Sequence, residues 1–241
     1  MAAKRVRYKR ILLKLSGEAL VGEGSFGVDP AVLRDVAGEI LDVHGLGVEV
    51  SVVIGGGNIF RGLHASEYGL ERVPADHMGM LATVINAIAL GEVLTGMGAE
   101  TRVMSAIRMD KISEPYIRDR ALSHLKGRKI VIFAAGTGNP YFSTDTAAAL
   151  RAMEIGAEVL LKATKVDGVY PADPLKSPSL KPFATVSYKE MLRDNLQVMD
   201  MTAVALAMGQ NLPIIVFNLK GRGNIARVIR GEKVGTLISG E

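Results

Sequence analysis

Lys14 stands in the apolar run Ile11–Leu15, and Ser16-Gly17 follow at once. A lone charge at the end of such a run usually packs its stem and lets its ammonium reach water; the other use is to meet an anion. A second stretch bears on that choice. In VVIGGGNIFRG, Val52–Gly62, apolar residues run into Gly55-Gly56-Gly57, and Arg61 comes four positions later. Glycine weakens a strand interior, and a tight turn rarely needs three. Consecutive bare amides form a concave anion nest, a following helix adds its positive N-terminal end, and an arginine adds a forked donor for phosphate. A third stretch, Gly136-Thr137-Gly138-Asn139-Pro140-Tyr141-Phe142-Ser143-Thr144-Asp145, is rich in glycine and hydroxyls and enters an alanine-rich helix. One capping residue suffices there, yet Ser143, Thr144 and Asp145 are all of capping type. The fourth, Thr164-Lys165-Val166-Asp167-Gly168-Val169-Tyr170-Pro171-Ala172-Asp173, reads by itself as a proline-rich surface loop. Each is weak alone. Together they favour two phosphate-bearing ligands meeting over the edge of a sheet.

The elements that must carry these loops follow from periodicity. Strands are predicted at Ile11–Leu15, Val48–Ile54, Thr101–Ala106, Lys129–Ala135, Glu158–Ala163, Pro213–Asn218 and Val234–Ile238. Helices are predicted at Ala31–Val43, capped by Asp29 with Pro30 at its first position, and at Asp76–Leu94, Ser113–His124, Thr144–Ile155, Ser187–Asn195, Asp200–Met208 and Asn224–Arg230. Thr164–Pro182 is turn-rich. Near-continuous Val/Ile/Leu runs between helices predict a parallel sheet covered on both faces. In such sheets ligands sit at the carboxyl ends of strands, where all four loops fall.

Other chemistries lack their residues. No Cys is present among the 241 residues, so thiol catalysis and thiolate metal sites are excluded. The four His have no metal-ligand spacing, and no P-loop, G-x-S-x-G or kinase H-R-D pattern occurs. Gly22-Glu23-Gly24-Ser25-Phe26-Gly27 matches the dinucleotide fingerprint in letters only. It does not follow the strand directly, and Glu23 and Asp29 put negative charge where a pyrophosphate would lie; it reads as a mobile loop. Aromatics are 5% of the chain with no Trp, which disfavours base-stacking on single strands. The net charge of +4 owes much to Lys4–Arg10, expected to be a solvated tail rather than a nucleic-acid arm. The start, MAAKRVRYKR, has no apolar leader core, and Met78–Leu90 is interrupted and short for a bilayer. A cytoplasmic protein without membrane or nucleic-acid partners is the expectation.

The blocks KRILLKLSGEAL, VVIGGGNIFRG, DHMGMLATVINAIAL, AAGTGNPYFSTDTAA, LLKATKVDGVYPADP and VMDMTA, in order over nearly the whole chain, resemble the bacterial uridylate kinases, a branch of the amino-acid kinase family. The resemblance implies one amino-acid kinase domain over 1–241, its N-terminal part mainly for UMP and its C-terminal part mainly for ATP. The implied fold is a three-layer α/β/α sandwich with a mainly parallel sheet. The implied reaction moves the γ-phosphoryl of ATP, with Mg²⁺, to UMP. A cytoplasmic homohexamer inhibited by UTP and activated by GTP is implied as well. Lys14, Leu15, Ser16 and Gly17 would hold the ATP phosphates with Gly57 and Arg61. Thr164, Tyr170 and Asp173 would bind the adenine nucleotide. Gly56, Asp76 and Thr137–Thr144 would bind UMP, and Gly22–Gly27 would take part in GTP activation. Asp145 and Asp200 would orient Lys14 or the metal. Lys162 or Lys165 is a second candidate cation, or a surface lysine.

Two rivals remain at this level. A kinase of the same fold acting on a carboxylate or carbamate should lack the combination of Asp76 with GTGNPYFSTD. A non-catalytic nucleotide sensor or nucleic-acid-binding regulator has no need to keep Lys14, Arg61 and Asp145 together.

Overall fold

A computed structural model describes residues 6–60, 69–174, 177 and 179–240. Arg61 lies outside the described residues. Among the described residues, nine strands form one sheet in the order β4-β3-β5-β2-β1-β6-β8-β9-β7. They are β1 (Arg10–Leu15), β2 (Glu49–Ile54), β3 (Thr101–Ser105), β4 (Glu114–Pro115), β5 (Ile130–Ala134), β6 (Val159–Thr164), β7 (Thr185–Ser187), β8 (Ile214–Asn218) and β9 (Thr236–Ser239). All pairings are parallel except β8 with β9. The helices are α1 (Pro30–Gly45), α2 (Arg72–Gly96), α3 (Arg118–Lys126), α4 (Thr144–Ile155), α5 (Tyr188–Arg193), α6 (Met201–Gly209) and α7 (Asn224–Ile229).

Side-chain alternation along the strands builds a core on each face. Ile11, Leu13 and Leu15 pack with α1, α2 and α7, while Leu12 and Leu160 pack with α3, α4, α5 and α6. The chain is thus the three-layer sandwich expected. Local signals act as read: Asp29 accepts from Ala31 N–H and Val32 N–H at the start of α1, and Gly156 closes α4 in the left-handed region at φ 65.

Three expectations need correction. Residues 113–117 are not helical; Glu114–Pro115 pair with β3 as an edge strand, and α3 starts only at Arg118. Proline pushes its predecessor out of the helical region and lacks the N–H an inner strand needs, so an edge suits it. Helix α2 starts at Arg72 rather than Asp76, with Pro74 in the first turn, where its missing N–H costs nothing. The segment after the expected tail's start is docked: Arg7 N–H donates to Ile229 O at 2.8 Å, and Tyr8 is buried. Helix α2 is long and apolar enough to cross a membrane, but half of its most apolar stretch is buried in this protein.

The strand order reverses at β1. From β1 the chain goes to β2 on one side and later returns to β6 on the other, which opens a crevice at the carboxyl ends of these three strands.

Candidate functional site

Lys14 and Lys162 are partners in the parallel register of β1 and β6, and both side chains are directed to the α4 face, each only 7% exposed. Two adjacent buried ammonium groups repel, so something must hold them. Asp145, in the first turn of α4, does so: Lys14 Nζ lies 2.7 Å from its Oδ1, and Lys162 Nζ donates to its Oδ2. Burial pushes the Asp145 carboxyl up, but the two ammonium groups outweigh this and hold it below the usual carboxylate range. Burial lowers the Lys162 ammonium against the pull of Asp145. Each Asp145 oxygen thus faces its own ammonium group, Oδ1 that of Lys14 and Oδ2 that of Lys162. Lys165 is the surface lysine of the two candidates, exposed and 3.6 Å from Glu18.

The three capping-type residues before α4 divide their tasks. Ser143 is the cap; its Oγ accepts from Asp145 N–H at 3.0 Å and Thr146 N–H at 3.1 Å and donates to Asp200. Asp145 goes to the lysines. Thr144 turns to the glycine turn, its Oγ1 3.5 Å from where a Cβ on Gly55 would lie. Asp200 caps α6 through Ala203 N–H at 2.9 Å and accepts from Thr146 Oγ1 at 2.9 Å, so it pins two helix starts together.

The glycines after β2 differ in what they need. A Cβ on Gly56 would lie 2.8 Å from Ala82 Cβ and from Gly79 O, so helix α2 forbids a side chain there. Among the described residues, a Cβ on Gly57 would find nothing nearer than Glu18 Cγ at 3.7 Å. Packing inside the protein therefore explains Gly56 but not Gly57. Gly17, beside this turn, is packed as tightly: its Cβ would lie 2.4 Å from Asn58 Oδ1 and 2.6 Å from Gly55 O.

Beyond the turn a cleft opens between α2 and the loop after β5, lined by Gly56, Gly57, Asp76, Thr83, Thr137 and Thr144 among others. Asp76 is anchored at its edge. It accepts from Tyr141 N–H at 2.7 Å and from Arg72 Nε at 2.8 Å, and the Arg72 guanidinium sits over the Tyr141 ring at 5.3 Å. Ala135 and Tyr141 both take left-handed backbone, φ 61 and 72, without being glycine. Such conformations persist only where the surroundings impose them. Gly138, Asn139, Pro140 and Phe142 complete the loop; Thr137 Oγ1 accepts from Asn139 N–H at 3.2 Å.

The loop after β6 lies on the other side of β1. Thr164 is turned inward on its own loop, donating to Val166 O at 2.7 Å, and Tyr170 and Asp173 lie further along this loop, Asp173 on its exposed surface. Leu15, Ser16 and Gly17 lead from β1 into a single 3-10 turn, Gly17–Leu20. The loop Gly22–Gly27 is pinned at its end: Gly27 N–H donates to Asn58 O at 2.9 Å, and Asn58 Nδ2 returns to Gly27 O at 2.8 Å. Phe26 projects from it, 72% exposed.

Thus Lys14, Asp145, Asp200 and the two glycine loops come together, and Lys162 joins them as the second buried cation. Its signal in the sequence was the same as that of Lys14, a charge inside an apolar run, but nothing local showed that the two runs are neighbours. The arrangement suits anion binding with charge migration between two ligands. As for a divalent cation, both Asp145 oxygens face ammonium groups, and no cluster of three or more acidic or imidazole ligands exists among the described residues. The donor set fits a metal that arrives already bound to a polyphosphate, not a protein cage.

The description of the amino acid kinase family matches residues 9–218. A solved UMP kinase from Bacillus anthracis is 46% identical over 96% of either chain, with a TM-score of 0.94. A UMP kinase from Ureaplasma parvum is 37% identical over 97% of this chain and 99% of its own, with a TM-score of 0.91. A uridylate kinase from Archaeoglobus fulgidus is 28% identical over 95% of this chain and 99% of its own, with a TM-score of 0.74.

Proposed function

The chain belongs to the amino acid kinase family, and from that premise we propose that it is a uridylate kinase, transferring the γ-phosphoryl group of ATP to UMP. The observation that carries this is the junction at Thr144-Asp145: one residue lines the cleft, and the next holds two buried ammonium groups at the end of β1 and β6. An acceptor in the cleft and a polyphosphate over the lysines would therefore meet end to end.

In this reading a phosphate oxygen of UMP forms the new bond to the γ-phosphorus while the bond to the β-bridging oxygen breaks, leaving ADP. The acceptor is already ionised at neutral pH, so no general base is needed, and the protein contributes position and charge. Lys14 and Lys162 neutralise charge on the migrating group, and Asp145 orients them. Leu15, Ser16, Gly17 and Gly57 offer the β1 and β2 loop backbones to the ATP phosphates. Thr164, Tyr170 and Asp173 take the adenine nucleotide. Gly56, Asp76 and Thr137–Thr144 take UMP; the N-terminal part serves mainly the acceptor and the C-terminal part mainly the donor, with the loops after β1 and β5 as the exceptions. Arg61 is assigned to the phosphates from sequence alone. A magnesium ion brought in with ATP would supply further neutralisation of the polyphosphate charge beside Lys14 and Lys162.

The finer reading includes a cytoplasmic homohexamer, inhibition by UTP and activation by GTP through the loop Gly22–Gly27. The test of the activity is initial rate with ATP and a panel of acceptors. UMP should react far better than CMP, AMP, aspartate or glutamate, and Asp76→Asn should weaken UMP use more than ATP binding. Equal rates with CMP and UMP would overturn the acceptor assignment.

A further inference from the structure

Helix α2 is apolar along most of its buried side, yet Thr83 and Asn86 on that side are polar, 2% and 0% exposed. They sit three residues apart and so share one helix face. Their hydrogen bonds end on two different glycine loops. Thr83 Oγ1 accepts from Ala135 N–H at 2.8 Å and donates to Met80 O at 2.7 Å. Ala135 is the left-handed residue at the head of the Gly136 loop, a conformation that L side chains avoid unless held. Asn86 Nδ2 donates to Gly55 O and to Asn58 Oδ1, each at 2.7 Å, and Asn86 Oδ1 accepts from Asn58 Nδ2 at 3.0 Å. Asn58 Nδ2 also donates to Gly27 O. The donors and acceptors of both amides are all engaged.

Apolar residues at both positions would pack without needing buried polar partners. What the polar pair adds is direction and distance. The turn Gly55–Gly57 carries Gly57, assigned above to the donor phosphates, and Ala135–Thr144 leads to the acceptor, and in-line transfer tolerates little error in their separation. A displacement of about 1 Å can cost on the order of 10²-fold in rate. We propose that Thr83 and Asn86 are positioning residues: one helix face holds both glycine loops at a set separation, and so sets the distance between the acceptor phosphate and the transferring group. The proposal rests on the kinase reading above.

The test compares Thr83→Val, which keeps shape but leaves Ala135 N–H unpaired, with Thr83→Ser, which keeps the hydroxyl. Steady-state rates of UDP formation and thermal melts are measured on the full chain. Thr83→Val should lose about 10²-fold in kcat with KM for ATP within about threefold of the original, and Thr83→Ser should stay within severalfold of the unmodified protein in kcat. A purely structural hydroxyl would lower the melting temperature without this split between kcat and KM. A folded Thr83→Val with near-normal kcat, or a Thr83→Ser as slow as the valine variant, would overturn the proposal. If Thr83→Val does not fold, Asn86→Ala is read in the same assay against the same criterion. Failure of both to fold would also overturn it, since the polar pair would then be holding the core. If the unmodified protein prefers another monophosphate, the comparison runs on that acceptor, so acceptor identity and loop positioning fail separately.

Discussion

Asp145 pairs with two ammonium groups, whereas each of those, among the described residues, forms its ion pair with Asp145 alone, Asp200 adding a weaker pull on Lys162. Removing the carboxylate and removing a lysine therefore have different consequences. Lys14→Ala leaves Asp145 and Lys162 as a balanced buried pair, so the fold should survive while turnover falls on the order of 10³-fold. Lys14→Arg should not restore it, because a planar fork does not replace a point charge. Asp145→Ala leaves two buried ammonium groups in register on adjacent strands. Stripping one side from a buried ion pair costs about 3–5 kcal/mol. Urea denaturation at neutral pH should thus show a large loss for Asp145→Ala and a small one for Lys14→Ala. Equal losses would mean that Asp145 is not the common counter-ion. Acid should act in the same direction as Asp145→Ala. The folded carboxyl titrates below its unfolded counterpart, so its contribution is present above the ordinary carboxylate range and fades as pH drops through the folded value.

At the scale of elements, the glycine turn after β2 separates packing from binding. Gly56→Ala puts a methyl against Ala82 and the Gly79 carbonyl, and overpacking of this kind costs about 1–3 kcal/mol. Among the described residues Gly57→Ala meets only the Glu18 side chain, at ordinary contact distance, so its stability should stay within about 0.5 kcal/mol. Its methyl should instead obstruct the approach of ATP phosphates and raise KM for ATP. Thermal melts paired with ATP saturation curves separate the two. An unchanged KM for ATP in Gly57→Ala would remove that glycine from the phosphate cradle. The same turn shows how far element reading goes. That three consecutive glycines exceed what a turn needs was legible from their number; that Gly56 answers to α2 depended on where that helix packs.

For the whole molecule, helix α2 leaves a stripe of Met78, Leu81 and Ile85 in water at 42%, 50% and 53% exposure. Three large apolar side chains in line on one helix are a surface that association removes from water, which supports the homohexamer reading. Leu81→Glu with Ile85→Glu should lower the sedimenting mass without unfolding the subunit. An unmodified protein that sediments as a monomer would end that reading. In an oligomer an effector acts only by binding two states unequally. GTP should raise and UTP lower the initial rate at fixed UMP. Shortening Gly22–Gly27 should blunt the GTP effect and leave basal turnover largely intact; a shortened protein activated as strongly as the original would reduce the loop to a surface turn.

The amino-acid sequence by itself determined the alternation of strands and helices, the Asp29-Pro30 and Gly156 helix ends, and the placing of glycine- and hydroxyl-rich loops after strands. These depend on residues within a turn or two of one another, through side-chain period, capping and backbone freedom. It also marked Lys14 as a charge out of place. The edge pairing of Glu114–Pro115 was hidden because a strand of two residues has no period to read. What only the tertiary structure decided is which distant residues face each other. Lys162 became the partner of Lys14 because β6 lies beside β1 in register. Asp145 rather than Ser143 went to the lysines because the pitch of α4 turns one inward and leaves the other as its cap. Thr83 and Asn86 read as interruptions of an apolar helix until α2 was seen lying across both glycine loops. Strand order and helix docking are set by burial summed over the whole chain, and no window of neighbouring residues contains that sum.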